Sequence, residues 1–196
     1  MDKYRTQRKR KNAFQLTDQI ESPIDLYEHL PFQIAVVSNL LQLNRDLAIR
    51  EIIDLEPREL RVIINIGSYM PISGAEIAYQ ARLDSYTVSR AVKKLKSLEM
   101  IESQMVDSNK KVKYLVLTEK GRDVYHKLCN VIDARTQMLE SGLSDDEKHL
   151  LMNLLAKLED KAEEMLTSHA REKLANGEVL PADQKEIIRW RKKSTE

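Results

Sequence analysis

The sequence predicts a mainly α-helical chain with one small β-hairpin. Three observations carry this. The 196 residues include only five glycines and five prolines, with 5% aromatics, a poor supply of turn formers for a β-sandwich or barrel. Apolar residues recur at spacings of three and four over most of the chain, the helical period. Period-two alternation is confined to a short stretch between about 100 and 117. At about 100–200 residues per domain, the length fits one domain or a small two-lobed unit.

The elements follow in order. Residues 1–22 read as a flexible basic arm, because Lys3, Arg5, Arg8, Lys9, Arg10 and Lys11 face only Asp2 and no periodicity is evident. From Leu30 to about Leu47 the pattern is densely apolar (Phe32, Ile34, Val36, Val37, Leu40, Leu41, Leu43, Leu47). Pro31 suits a first helical turn. A helix apolar all round must be buried, in this chain or against another, so 23–55 read as an N-terminal dimerisation helix and its connection. Pro57 opens a helix through about Ile66, with Leu60, Ile63 and Ile64 on one face. Ser73-Gly74-Ala75-Glu76 is a capping box that starts a short helix ending near Ala81. The turn Arg82-Leu83 leads to Asp84, an N-cap for a helix to about Leu98. That helix has an apolar stripe of Val88, Ala91, Val92, Leu95 and Leu98.

Residues 100–106 and 112–117 read as strands around a polar turn, Asp107 to Lys111. Thr118 caps a helix to about Glu140, with Val124, Leu128, Val131 or Ile132, and Met138 facing inward. Ser141-Gly142 breaks it, and Ser144 and Glu147 form a second capping box. In the helix that follows, Leu151, Leu155, Leu158, Ala162 and Met165 alternate at spacings of four and three, a short coiled-coil-like seam. Asn176-Gly177 ends it, and 183–193 read as one more short helix. The apolar stretch from Phe32 to Leu47 and this seam exceed what one small lobe can cover, so the sequence predicts a homodimer. The resulting division is 56–118 as a central lobe, 119–170 as C-terminal dimerisation helices and 171–196 as an extension.

The net charge of +1 conceals opposed blocks. Residues 1–12 and 82–113 are basic, and residues 140–168 are acidic. Such asymmetry suits one face for a polyanion and another that avoids it, although solvated helix faces give the same pattern. No apolar run approaches the roughly 18 residues of a membrane helix, so no membrane partner is expected. The N-terminus lacks the apolar core of a signal peptide. The single cysteine, Cys129, excludes an intramolecular disulfide framework and fits a reducing compartment. The cytoplasm is therefore the expected location.

Two short helices joined by a tight turn, then a hairpin with a basic tip, make a winged helix-turn-helix. Its second helix is slim enough for a major groove about 12 Å wide. Ser85, Tyr86, Thr87 and Ser89, near that helix's N-terminus, are placed to reach base edges. Arg90, one turn on, has the fork geometry for guanine. Lys93, Lys94 and Lys113 are candidates for phosphate contacts, with Asn109, Lys110 and Lys111 at the wing tip.

Residues 28–168 resemble the MarR family of bacterial transcriptional regulators. The likeness rests on Ser85-Tyr86-Thr87-Val88-Ser89-Arg90-Ala91-Val92-Lys93-Lys94-Leu95, then Met100-Ile101-Glu102, then Leu117-Thr118-Glu119-Lys120-Gly121 in register with the wing. The resemblance implies an obligate homodimer whose terminal helices intertwine, with two winged lobes on a pseudo-palindromic double-stranded operator. It also implies a small aromatic acid as effector, bound between the lobe and the dimerisation helices, and release of a repressor. Polar residues for that crevice are His29 and Gln33 on the first long helix, with Arg61 and Tyr69 near the next. Each also suits a surface or capping role. The sequence departs from the family's pattern in three places. The wing tip reads Asn109-Lys110-Lys111 where Asp-Arg-Arg is common, and lysine is more strongly hydrated than arginine. Glu99 stands where glycine is frequent, at a cost of about 1 kcal/mol or more if the backbone is left-handed. The basic arm and residues 171–196 lie outside the family core. The arm suits either phosphate tracking or a solvated tail, and Trp190 with Ile187 and Ile188 suits either packing at the dimer interface or a frayed end.

No catalytic constellation is evident, and no cofactor or metal is expected. His29, His126, His149 and His169 lack the i, i+4 pairing of a helical metal site. Asp145-Asp146-Glu147 is the charge expected of a helix's first turn, and Cys129 reads as packing. The sequence thus points away from an enzyme and toward a ligand-responsive DNA-binding regulator. The alternative is a winged-helix module for protein–protein assembly, which would have no need of so many lysines on one lobe.

Overall fold

The computed structural model describes residues 5–105 and 112–195. Their elements, in chain order, are α1 (Arg5–Ala13), α2 (Leu30–Leu41), a 3-10 turn (Leu43–Arg45), α3 (Leu47–Ile52), α4 (Pro57–Tyr69), β1 (Ile72–Ser73), α5 (Gly74–Ala81), α6 (Ser85–Ser97), β2 (Ile101–Met105), β3 (Lys113–Leu117), α7 (Glu119–Glu140), α8 (Asp145–Ala175) and α9 (Ala182–Thr195). The sheet order is β1-β3-β2, antiparallel throughout. Register runs from Ile101 opposite Leu117 to Met105 opposite Lys113, and Ile72 faces Leu115.

One core gathers the lobe. Leu60, Val62, Ile63 and Ile66 of α4 meet Ile77 of α5, Val88, Ala91 and Leu95 of α6, and Leu115 and Leu117 of β3. Ile49 of α3 and Leu128 of α7 close it from the other side, each fully buried. By contrast α2 buries no residue, and Leu151, Leu155, Leu158 and Met165 of α8 are exposed in the single chain.

Four expectations are corrected. The arm is helical over Arg5–Ala13, because Gln, Arg, Lys and Ala are strong helix formers even without an apolar face. It is tied back by Lys11 Nζ to Glu28 at 2.7 Å and by Arg10 over the Tyr27 ring. The helix expected from Leu30 to Leu47 breaks after Leu41. Asp46 opens α3 by accepting the Ala48 N–H at 3.0 Å, while Arg135 of α7 donates to the Leu41 carbonyl at 3.1 Å. Met138 is exposed rather than inward-facing. The two-residue strand β1 adds a third member to the hairpin's sheet.

Candidate nucleic-acid interface

The helix-turn-helix is built by its caps. Ser73 Oγ accepts the Glu76 N–H at 3.3 Å and Glu76 accepts the Ser73 N–H at 2.7 Å, so α5 begins as the sequence predicts. Arg82 then adopts a left-handed conformation (φ 50°) that turns the chain. Asp84 caps α6, its carboxylate accepting the Thr87 N–H at 2.8 Å and the Thr87 hydroxyl at 2.7 Å. Those two bonds, with the Arg58 charge, hold the Asp84 carboxyl below the usual carboxylate range.

The cap also decides which residues α6 presents. Val88, Ala91 and Leu95 are buried, and Ser85, Tyr86, Ser89, Arg90, Lys93 and Lys94 are exposed along one continuous face. Arg90 lies 5.8 Å from the Tyr86 ring centroid, so the two occupy one patch. Thr87 is the correction among the candidate base-reading residues. It is buried, and its hydroxyl is committed to Asp84, which turns it into the lobe. Lys96 donates to Ser103 Oγ at 2.6 Å and braces α6 against β2. Lys113 is exposed at the start of β3. Asn109, Lys110 and Lys111 lie outside the described residues.

The wing's base is locked to α7 at Thr118-Glu119-Lys120-Gly121. Thr118 Oγ1 donates to the Glu99 carbonyl at 2.7 Å and accepts the Gly121 N–H at 3.1 Å. The Thr118 N–H donates to the Met100 carbonyl at 3.0 Å. A Cβ at Gly121 would stand 1.9 Å from that same oxygen, so only glycine fits. Glu99 is left-handed (φ 59°), the conformation that makes glycine frequent there.

The effector candidates separate. Gln33 and Arg61 share a cavity of about 550 Å³ between α2, α4 and α8, whose lining includes apolar Val37, Ile64, Leu151 and Leu155 and polar Ser38, Gln42 and Asn65. His29 does not line it. Its ring nitrogen accepts the Phe32 N–H and caps α2. Tyr69 borders a different depression, with Pro71, Tyr79 and Gln80. A second cavity of about 570 Å³ shares Ser38, Gln42, Pro57 and Arg61 with the first and reaches Thr87 and Arg90 of α6. The sequence reading placed Leu151 and Leu155 in a dimer seam only. That they also face α2 and α4 depends on how α8 folds back, which helical spacing does not encode.

A further group, of which the sequence pointed only to Trp190, gathers around Arg82. Arg82 reaches Glu163 of α8 at 2.8 Å, Glu159 at 3.2 Å and the Tyr79 carbonyl at 2.9 Å. Glu186 of α9 accepts the Ser85 N–H at 3.0 Å, and Trp190 lies over Arg82 at 5.7 Å. Residues 182–191 therefore dock on α8 and on the helix-turn-helix.

This architecture defines a winged helix-turn-helix lobe carried on long terminal helices. No family model matches the chain. The chain is similar to the uncharacterised HTH-type transcriptional regulator YybA of Bacillus subtilis (strain 168), 30% identical over 111 residues, covering 57% of this chain and 74% of that protein. Its fold matches a MarR/EmrR family transcriptional regulator from Acinetobacter sp. ADP1 with a TM-score of 0.66 at 29% identity, covering 72% of this chain and 99% of that one. It also matches Streptococcus pneumoniae FabT, solved in complex with DNA, with a TM-score of 0.58 at 19% identity, covering 71% and 99%. The chain belongs to the MarR family of winged helix-turn-helix transcriptional regulators.

Proposed function

We propose that the protein acts as a homodimer that binds a pseudo-palindromic operator and represses transcription until a small effector releases it. The observation that carries the DNA contact is the exposed face of α6, where Ser85, Tyr86, Ser89 and Arg90 are flanked by Lys93 and Lys94. Polar groups at the leading turn of a recognition helix reach base edges, and lysines behind them meet phosphates. The unburied α2 and the exposed leucines of α8 support dimerisation, which places two such helices one helical turn of DNA apart, about 34–36 Å.

The α2–α4–α8 cavity supports the effector class. Its walls are largely apolar, and Arg61 supplies a cation for one anionic group, beside Gln33, whose amide already donates to the Leu26 carbonyl at 2.8 Å. A small aromatic carboxylate has that chemistry. Because the second cavity shares Arg61 and extends to Arg90, an occupant has a short route to the reading helix. It releases DNA only by as much as it prefers the non-binding arrangement.

Selection of bound sequences from random duplex DNA tests the reading. An enriched two-fold symmetric site is expected. Arg90→Ala should relax preference at one position per half-site by about 1–3 kcal/mol, while Lys93→Ala weakens all sequences together. No enrichment would favour the assembly-module alternative. Calorimetric titration of a panel of aromatic carboxylates into free protein and into the operator complex tests release, since linkage requires unequal affinities.

A further inference from the structure

We propose that α9 is an intramolecular competitor of the DNA backbone, with Glu186 occupying the anion position at the leading end of the recognition helix. The inference rests on the DNA-binding reading above. Ser85 is the first residue of α6, and its N–H is one of the donors a helix leaves without an internal partner. A donor at that place, at the positive end of the helix, is where a DNA phosphate is held. Here both oxygens of Glu186 lie within reach of it, Oε2 at 3.0 Å and Oε1 at 3.3 Å. A phosphate oxygen takes that N–H only after the carboxylate withdraws, and the fixed negative charge repels the strand meanwhile.

The contact is built into the fold. Leu180 is buried in the link between α8 and α9, and Trp190 lies over the Arg82 guanidinium. Arg191 approaches Glu163 at 3.8 Å, the same carboxylate that pairs with Arg82. Together with the Glu186–Ser85 bond they hold α9 in one docked position, so that release of the clasp moves Trp190 as well. The link from Asn176 to Pro181 keeps the carboxylate at high local concentration, as a tethered ligand is kept. Asp84 and Asp183 border the same crevice, so this end of α6 is acidic whereas the Lys93–Lys94 end is basic. The clasp lowers affinity for all DNA by a common factor, because operator and unrelated sequences must displace the same carboxylate.

The test uses the full chain and two readouts. The first is binding of wild type, Glu186→Gln and Arg90→Ala to the selected operator and to an unrelated duplex, measured by anisotropy at low salt. Glu186→Gln should tighten both, roughly three- to thirtyfold for two clasps in a dimer, with the gain shrinking as salt rises. The second is the emission of Trp190, the only tryptophan in the chain. It should shift on saturation of the wild-type protein with operator, as the ring leaves Arg82. If Glu186→Gln binds no tighter while Arg90→Ala still weakens binding, the clasp is overturned and the DNA-binding reading stands. Unchanged Trp190 emission at saturation likewise overturns the clasp. If neither wild type nor Glu186→Gln captures any duplex, both readings fall.

Discussion

Two non-glycine residues of the lobe are left-handed, Arg82 (φ 50°) and Glu99 (φ 59°), and replacing each with glycine should have opposite consequences. A side chain in this conformation costs about 1–2 kcal/mol, because Cβ crowds the following carbonyl. Glycine removes that cost but adds unfolded-state entropy of about 0.4–1 kcal/mol. At Glu99 little else changes. Its side chain is 85% exposed and its ion pair with Lys120 spans 4.0 Å, a contact worth close to nothing in solvent. Glu99→Gly should therefore stabilise the protein by about 0.5–1 kcal/mol. For a chain of this size that is a rise of about 1–4 °C in Tm. At Arg82 the same relief is outweighed. Its guanidinium pairs with Glu163, which is only 8% exposed, and also reaches Glu159 and the Tyr79 carbonyl. Removing one partner of a buried pair costs about 3–5 kcal/mol. Arg191, at 3.8 Å from Glu163, recovers part of that. Arg82→Gly should thus destabilise by about 2–3 kcal/mol. Urea unfolding of wild type and both variants, at one protein concentration and compared at equal slope, reads the two signs. An Arg82→Gly variant as stable as wild type would refute the anchoring argument. A Glu99→Gly variant less stable than wild type would refute the strain argument.

Three further outcomes follow from the packing and the caps. Leu155→Glu with Leu158→Glu should abolish the dimer in analytical ultracentrifugation while the lobe's core, which excludes both residues, keeps its helicity; a native chain that sediments as a folded monomer at micromolar concentration would refute dimerisation. Gly121→Ala sets a Cβ 1.9 Å from the Met100 carbonyl and should cost about 2 kcal/mol or more by displacing the wing's base, seen in thermal unfolding. Asp84→Ala should cost about 1 kcal/mol at neutral pH through loss of the cap. Because the folded carboxyl titrates below its ordinary value, the stability difference between wild type and Asp84→Ala should be complete above about pH 5 and should shrink as pH falls below 4. A difference that persists unchanged at pH 2–3 would assign the loss to packing instead.

What was legible in the sequence was mostly local. Ser73, Asp84, Thr118 and Ser144 cap the helices they precede, because a cap is a contact over two or three residues and is written in the order of the chain. The hairpin and the exposed face of α6 followed from periods of two and 3.6. The left-handed site at Glu99 came from family resemblance, and its strain is local too. What was missed is partly a choice between two local roles and partly distant approach. Thr87 looked like a polar residue on a reading face, yet its hydroxyl completes the Asp84 cap and points inward. His29 suits either a crevice or a cap, and it is a cap. Gln33 and Arg61 share a cavity because α8 returns across α2 and α4, a packing angle no spacing encodes. The two-residue β1 is too short to carry a period, and α1 is too polar to show one.

The acidic block of residues 140–168 first reads as a surface that avoids a polyanion, but part of it has a local purpose. Leu151 and Leu155 of α8 line the α2–α4–α8 cavity. Glu159 and Glu163, two and three turns along, grip Arg82 at the corner of the helix-turn-helix. The end of α8 carries α9 back to Ser85. At 1.5 Å per residue, Leu151 and Glu163 are about 18 Å apart on one rod. The charged contacts at Glu159 and Glu163 therefore tie to the turn the same rod whose Leu151 end lines the cavity. A grip of two carboxylates on one guanidinium, one of them buried, gives the terminal helices a mechanical hold on the recognition helix, and that hold is what an effector bound beside α8 would have to work through.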